Sequence, residues 1–185
     1  LQGLAGIRPV RDDIIRPILC LERYEIEAFL QEKNISFCID KTNLEDNYTR
    51  NRIRHHILPV AEKEISQNVV LHIGEACQRI SEAYELIEDL TSQAYKACIR
   101  VDEKGIHILG EPFLTLHKTI QSYCLREALI RATGNSRNLE SIHVQSLQGL
   151  MERQCGRQLD MPYGIVARRE YEGICLTKKQ EIPKD

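Results

Sequence analysis

The chain has 185 residues, enough for one fair-sized domain or two small ones, and its net charge of −2 excludes a basic field over the whole surface. A nucleic-acid partner would therefore need a local basic patch. No stretch is long and apolar enough to span a membrane, so we expect a cytoplasmic protein without a membrane partner. Seven cysteines without a C-x-x-C pair predict reduced thiols and exclude a disulfide framework.

The first part of the chain predicts loop, helix and strand in turn. Residues 1–21 carry arginines among Gly and Pro and predict a loop that ends in a short extended piece. Residues 22–33 place apolar side chains on one helical face, and residues 35–39 alternate apolar and polar as a strand does. The strand would deliver Asp40 to its end, which is a typical position for a functional group in open α/β folds.

Residues 40–59 combine an acidic, turn-forming half with a basic half. Arginine and histidine occupy five of the seven positions 50–56, and no acid lies among them. We expect a helix to start near Tyr48, which would put Arg50 and Arg54 on one side. Guanidinium groups beside an apolar stripe need partners.

Two interpretations of these arginines stay open. Arg50 and Arg54 could form ion pairs with Asp40 or Asp46 and brace a domain joint. They could instead bind a phosphate group, which the planar guanidinium fork matches well.

After Pro59 the apolar spacing becomes that of a long amphipathic helix. Apolar residues recur at four- and three-residue steps, which predicts one helix over residues 65–99. We expect its stripe of Ile73, Ile80 and Ile87 to pack in a helical bundle.

The remaining chain predicts two more helices and a β meander. A helix should open at Pro112 and end at Gly134, and another should run from Asn138 to Gly156. Extended segments are predicted at 106–109, 159–161, 165–168 and 174–176, before a frayed tail at 177–185. The expected core side chains of the two helices are Leu116, Ile120, Tyr123, Leu125, Ala128, Leu129, Ile142, Leu147 and Leu150.

Catalytic and metal-binding patterns are missing from the sequence. The six histidines have no ligand spacing, so we expect no metal site. There is no Ser-His-Asp or Cys-His arrangement and no glycine-rich phosphate loop.

Three segments together carry a family pattern. The motifs Asp-x-x-Asn, Asp-x-Tyr, Arg-Asn-x-x-Arg and Pro are matched by Asp40, Asn43, Asp46, Tyr48, Arg50, Asn51, Arg54 and Pro59. Upstream matches are Gly6, residues 15–19, Arg23, Glu25 and Ile26, and downstream matches are Gly156, Leu159, Asp160, Pro162 and Gly164. In this order they resemble the tRNA(Ile)-lysidine synthetases, a family of the PP-loop (N-type ATP pyrophosphatase) superfamily.

The resemblance implies a mainly α fold with two domains. Residues 1–60 would be the C-terminal remnant of an α/β PP-loop domain that binds ATP. Residues 61–185 would be a helical bundle domain with a small β meander that binds tRNA. Because the chain lacks the family's Ser-Gly-Gly-x-Asp-Ser loop and does not begin with Met, we expect a fragment of a longer protein.

The resemblance also implies an ATP-dependent C–N ligase with tRNA(Ile), lysine and ATP as partners. Such an enzyme adenylates the wobble cytidine, using Mg2+, and lysine then displaces AMP to form lysidine. Arg50 and Arg54 would be catalytic through phosphate contacts. Asp40, Asn43, Asp46, Tyr48 and Asn51 would bind substrate, and Asp40, Asn43 and Asp46 would also orient the arginines. Asn51 could hydrogen-bond a base edge or cap the preceding turn. The chain alone should bind no cofactor and be inactive, and a homodimer is possible.

Two alternatives to this function stay open. The chain could be a non-catalytic RNA-binding module, for which these residues would suffice. It could also belong to another PP-loop enzyme that modifies a different substrate.

Overall fold

A computed structural model describes residues 1–11, 13–38 and 40–179. It divides the chain into two compact units, residues 1–84 and residues 85–185. Helices hold 53% of the residues that the structure describes, so the fold is mainly α, as predicted. The division falls inside a long helix, whereas the domain boundary near residue 60 stays a prediction.

The first unit consists mostly of short elements. Its antiparallel hairpin pairs β1 (Val10–Arg11) with β2 (Ile14–Ile15). Its helical segments are α1 (Arg23–Glu32), a 3-10 helix (Lys41–Leu44), α2 (Thr49–Arg52), a π-helix (Ile53–Ile57) and α3 (Leu58–Glu64). The long helix α4 (Val69–Cys98) begins in this unit and ends in the second.

Helix α1 confirms the predicted helix, but the strand after it is not formed. The Glu22 N–H donates to the Glu25 carboxylate, which closes a capping box at the start of α1. Asn34, with a φ of 50°, follows its end. Residues 35–38 have no strand partner, and Ile39 lies outside the described residues. Since a strand requires a hydrogen-bonded neighbour, the alternating pattern alone does not produce one here.

The helix predicted after Tyr48 forms and continues past Pro59. Tyr48 has the extended backbone of an N-cap, and α2, the π-helix and α3 follow without interruption. Pro59 has no N–H to donate, and the N–H of Leu58 bonds to the carbonyl of Ile53, five residues back. This bond across five residues makes the turn before Pro59 a π turn, which is wider than an α turn. Such turns recur at functional sites.

The second unit packs helices against a five-stranded antiparallel sheet. Its strands are β3 (Ile99–Asp102), β4 (Gly105–Leu109), β5 (Gln158–Met161), β6 (Ile165–Arg169) and β7 (Gly173–Lys178), in the spatial order β3-β4-β7-β6-β5. Its helices besides α4 are α5 (Gly110–Leu114), α6 (Lys118–Thr133) and α7 (Ser141–Met151). The predicted meander is confirmed, and β3 and β4 extend it into a larger sheet.

The helix boundaries differ from the predictions in three places. The helix expected from Pro112 is two helices, and the His117 imidazole between them accepts from the Thr119 N–H as the N-cap of α6. Gly134 ends α6 in the left-handed conformation, as predicted. Helix α7 is capped by Glu140 and not by Asn138, and it ends at Met151, before Gly156. The predicted frayed tail has Thr177 and Lys178 in β7, and residues 180–185 lie outside the described residues.

The core of the second unit contains most of the predicted side chains. Ile120, Leu125, Ala128, Leu129, Leu147 and Leu150 are buried together, Leu116 and Tyr123 are half-buried, and Ile142 is exposed. In α4 the buried residues are Tyr84, Thr91, Ala94, Tyr95 and Cys98. Ile87 packs against the core, Ile80 is half-buried, and Ile73 is exposed, so the predicted stripe is wrong at its first position. The residues of α4 that join the core cluster of this unit are Ala94, Tyr95 and Cys98, near the C-terminal end of the helix.

All seven cysteines are free thiols, and three of them, Cys98, Cys124 and Cys175, are buried. Within the described part of the chain, no helix has the length and apolar character needed to cross a membrane.

Candidate functional site

The turn at residues 40–46 is fixed by the first of the predicted site residues. The Asp40 carboxylate accepts from the Thr42 N–H at 2.9 Å and from the Thr42 hydroxyl at 2.8 Å, which caps the 3-10 helix. The backbone hydrogen bond from Thr42 is the main cause that lowers the pKa of Asp40 below its ordinary value. Asp40 is therefore an ionised capping group at neutral pH.

Asn51 ties this turn to the helix that follows. Its side chain is buried, and its Nδ2 donates to the Thr42 carbonyl at 2.9 Å and to the Glu45 carbonyl at 2.8 Å. Its Oδ1 is buried and has no hydrogen-bond partner in the described structure. The amide thus bonds two carbonyls of the turn, of which that of Thr42 also accepts from the Glu45 N–H, and it holds α2 against the turn.

Asp46 contacts two adjacent histidines of the π-helix. Its Oδ1 lies 3.0 Å from His55 Nδ1, and its Oδ2 lies 2.6 Å from His56 Nε2. The hydrogen bond from His56, followed by that from His55, lowers the pKa of Asp46 below its ordinary value of 3.8. Neighbouring residues of an α-helix point about 100° apart, so the wider π turn helps both rings to reach one carboxylate.

Arg50 and Arg54 are exposed and do not pair with the aspartates. The Arg50 guanidinium carbon lies 5.2 Å from the centre of the Tyr48 ring, which is a cation–π contact. Among the residues that the structure describes, no ion pair joins Arg50 or Arg54 to Asp40 or Asp46. Asp40 instead bonds to Thr42, and Asp46 bonds to His55 and His56. The bracing interpretation had expected these aspartates to pair with the arginines.

The other predicted site residues lie on the same segment. Asn43 is half-buried in the 3-10 helix, and Tyr48 is exposed at the N-cap of α2. Thr42, His55 and His56 were not predicted as partners of the aspartates. An Asx-type Asp-x-Thr spacing could have indicated the contact of Asp40, but no sequence signal predicted the contacts of Asp46.

Asp40 and Asp46 are not part of a cluster of possible metal ligands among the described residues. One group of three or more possible metal ligands is close enough to hold an ion within the described ranges, and it contains neither Asp40 nor Asp46. The glycine-rich loop that would hold the phosphates of ATP is absent from the sequence. What the segment does offer is a set of exposed cationic groups on a helix fixed from behind, which suits an anionic ligand.

The contacts of Asp46 predict an acid-sensitive first unit. A pKa that is lowered on folding favours the folded state above the ordinary pKa of 3.8, and this contribution is lost as the pH falls through the lower folded value. We expect Asp46→Asn to be less stable than the wild type near neutral pH and to lose less of its unfolding free energy on acidification. Urea unfolding between about pH 6 and about pH 3 measures this difference. Asp13→Asn is the control for loss of an exposed carboxylate, and an unchanged pH profile in Asp46→Asn would contradict the assignment.

This segment and the rest of the chain are similar to known proteins. Residues 1–61 match the model of the PP-loop domain family. Over its whole length the chain is 29% identical to a tRNA(Ile)-lysidine synthase of Caldanaerobacter subterraneus, of which it covers 39%. Over 94% of its length it is 32% identical to the tRNA(Ile)-lysidine synthase of Clostridium perfringens, and over 95% it is 32% identical to that of Geobacillus kaustophilus. It covers 37% and 39% of those two proteins.

The chain thus spans about 40% of the length of the curated relatives that it matches. The similarity includes both structural units and is not confined to the segment that matches the PP-loop family.

Proposed function

We infer that this chain is part of a tRNA(Ile)-lysidine synthase and contains the end of its PP-loop domain together with the domain that follows. The observation that carries this inference is the similarity at about 30% identity through the entire chain, including the residues beyond the PP-loop match. A shared PP-loop domain alone would have left other PP-loop enzymes as equal candidates.

The full-length protein is then an ATP-dependent ligase that forms a C–N bond between lysine and the wobble cytidine of tRNA(Ile). Its partners are tRNA, ATP and lysine, and we place it in the cytoplasm, with Mg2+ as the metal and a homodimer as its possible assembly. The sequence has no glycine-rich loop to hold the phosphates of ATP. The present chain therefore contributes binding and positioning groups to this reaction.

Within this proposal Arg50 and Arg54 bind phosphate. Both guanidinium groups are exposed, and neither is engaged by the nearby aspartates. The Tyr48 ring lies against the Arg50 guanidinium and limits its freedom, so less entropy is lost when it binds. The phosphate belongs either to the nucleotide or to the tRNA backbone, and both present the same oxygen acceptors.

Three of the remaining predicted site residues hold the arginines in place. Asp40 caps the turn, and Asn51 attaches α2 to that turn through two carbonyl groups. Asp46 anchors the π-helix through His55 and His56. These contacts fix the helix on both sides of Arg50 and Arg54, which is the arrangement that a preorganised binding site requires.

The surface of the first unit supports its assignment as part of a larger domain. Many of its large apolar side chains are exposed, including Ile15 at 71%, Tyr24 at 70% and Ile65 at 80%. So many exposed large apolar side chains indicate a surface that other protein covers. In a longer protein, further segments of the PP-loop domain would provide such a cover.

The test uses the full-length protein that contains this chain. We expect it to attach labelled lysine to a tRNA(Ile) transcript in the presence of Mg-ATP, and not to a transcript whose wobble cytidine is replaced by uridine. The 185-residue chain alone should attach no lysine and should not bind Mg-ATP at micromolar concentration in calorimetric titration. A folded full-length protein without lysine transfer would overturn the proposed function. Micromolar binding of Mg-ATP by the chain alone would overturn the assignment of the missing phosphate loop.

A further inference from the structure

A second cluster of chemically active side chains lies in the second unit, far in sequence from the arginines. His107 on β4 and Cys175 on β7 are paired directly across these antiparallel strands. Directly opposed residues present their side chains on the same face of a sheet, so the register brings the imidazole and the thiol together. The His107 Nε2 lies 3.8 Å from the Cys175 Sγ.

Two hairpins add a carboxylate on each side of this pair. In the β3–β4 turn, an Asp102 oxygen accepts from the Lys104 and Gly105 N–H groups and lies 3.1 Å from His107 Nε2. In the β6–β7 turn, a Glu170 oxygen lies 3.6 Å from His107 Nδ1. The imidazole is therefore enclosed by two carboxylates and a thiol.

Three of these groups are close enough to bind one ion. One ligand atom each of His107, Glu170 and Cys175 lies within 4.8 Å of the other two. Zinc bonds of about 2.0–2.3 Å in a tetrahedral site put ligand atoms about 3.3–3.7 Å apart, and the 3.6 Å between His107 Nδ1 and Glu170 already meets this distance. The Cys175 Sγ lies 3.8 Å from the other ring nitrogen, Nε2, so it must approach Nδ1 for all three groups to bind one ion.

We propose that His107, Glu170 and Cys175 form a zinc-binding site on the sheet of the second unit. Imidazole, thiolate and carboxylate are the three ligand types that zinc takes in proteins, and three protein ligands leave a fourth position for water. His107 and Glu170 line a cleft of about 400 Å³ together with Arg100, Asp102 and further residues of the two hairpins, which gives that water access. Asp102, hydrogen-bonded to the imidazole, orients the ring as a carboxylate beside a ligating histidine does.

The sulfur ligand in this site would be the Cys175 thiolate. When zinc binds, the sulfur–zinc bond replaces the S–H bond and the proton passes to solvent.

This proposal differs from the expectation of no metal site, which rested on the spacing of the histidines. A site with one histidine, one cysteine and one glutamate has no such spacing in the sequence. It is also independent of the proposed ligase function, because none of its residues lies in the first unit.

The test uses the 185-residue chain with its three exposed cysteines, Cys20, Cys38 and Cys155, replaced by serine, so that other thiols do not bind the probe. Titration with Co2+ should give one equivalent of bound ion and a thiolate-to-cobalt charge-transfer band, and Zn2+ should displace the Co2+. We expect Cys175→Ser to lose the band and His107→Gln to weaken binding by at least about tenfold. Cys77→Ser and His72→Gln, which change the same residue types in α4, should leave the titration unchanged.

The proposal is overturned if the chain with only the three exposed cysteines replaced binds no stoichiometric Co2+. It is also overturned if the charge-transfer band survives Cys175→Ser or if Cys77→Ser abolishes that band. Circular dichroism establishes that each variant is folded. If Cys175→Ser does not fold, Glu170→Gln replaces it, because this side chain is partly exposed in a hairpin. Weaker Co2+ binding by Glu170→Gln then supports the site, and unchanged binding overturns it.

Discussion

Arg54→Lys should reduce lysidine formation by the full-length enzyme by at least about tenfold, or about 1.4 kcal/mol of transition-state stabilisation. Lysine keeps the positive charge but loses the planar fork that binds two phosphate oxygens at once. The melting temperature should hardly change, since Arg54 is exposed and is not paired with Asp40 or Asp46. Lysine transfer and thermal unfolding, measured on the same preparation, give the two values.

Arg52→Lys is the matched control for this substitution. Arg52 is an equally exposed arginine of the same segment, but its guanidinium already bonds to the Thr49 hydroxyl at 3.2 Å. We expect its replacement to leave activity close to that of the wild type. A destabilised Arg54→Lys protein with normal activity per folded molecule would refute the phosphate-binding role and restore the bracing interpretation.

The source of the phosphate can be separated with Arg54→Gln, which removes the charge. If Arg54 contacts the tRNA backbone, the salt dependence of tRNA binding should weaken by roughly one phosphate contact, a change of about 0.7–0.9 in the slope of log K against log salt. If it contacts the nucleotide, that slope should be unchanged and the KM for ATP should rise.

Leu147→Ala should cost the second unit about 2–5 kcal/mol of unfolding free energy. Leu147 lies on the inner face of α7 and is fully buried in the core of helices and sheet. Its removal loses apolar burial and leaves a cavity that close-packed neighbours fill only in part. Urea denaturation followed by circular dichroism measures the loss.

Ile142→Ala provides the control on the same helix. The sequence pattern assigned Ile142 to the core, yet the structure leaves it 57% exposed. Its truncation should change the unfolding free energy by no more than about 0.5 kcal/mol. Equal losses in the two variants would contradict the packing of α7.

The sequence by itself determined the local elements of this protein. The apolar period located α1, α4 and α6, and the glycine after α6 ended that helix at Gly134 because its left-handed backbone suits glycine. The alternation near the C-terminus gave the strands of the meander. These features depend on residues a few positions apart, so a local pattern contains the information.

The sequence indicated which residues belong to the candidate site, but it did not indicate the contacts between them. The pattern of residues 40–59 placed the arginines and aspartates together on one segment. It did not show that Asp46 binds His55 and His56, because an α-helical projection turns adjacent histidines apart and Pro59 with the π turn changes that projection. The partners of the arginines therefore could not be chosen from sequence.

Only the tertiary structure decided which distant residues meet. The extended segment at β4 could pair with any strand of suitable pattern, and the fold places it beside β7, which puts His107 opposite Cys175. Likewise, the stripe of α4 is continuous in sequence, but its burial depends on which part of the helix the sheet and helices cover, and Ile73 stays exposed. Strand pairing and burial are set by chain segments that are far apart in sequence, and no local period records which of them come into contact.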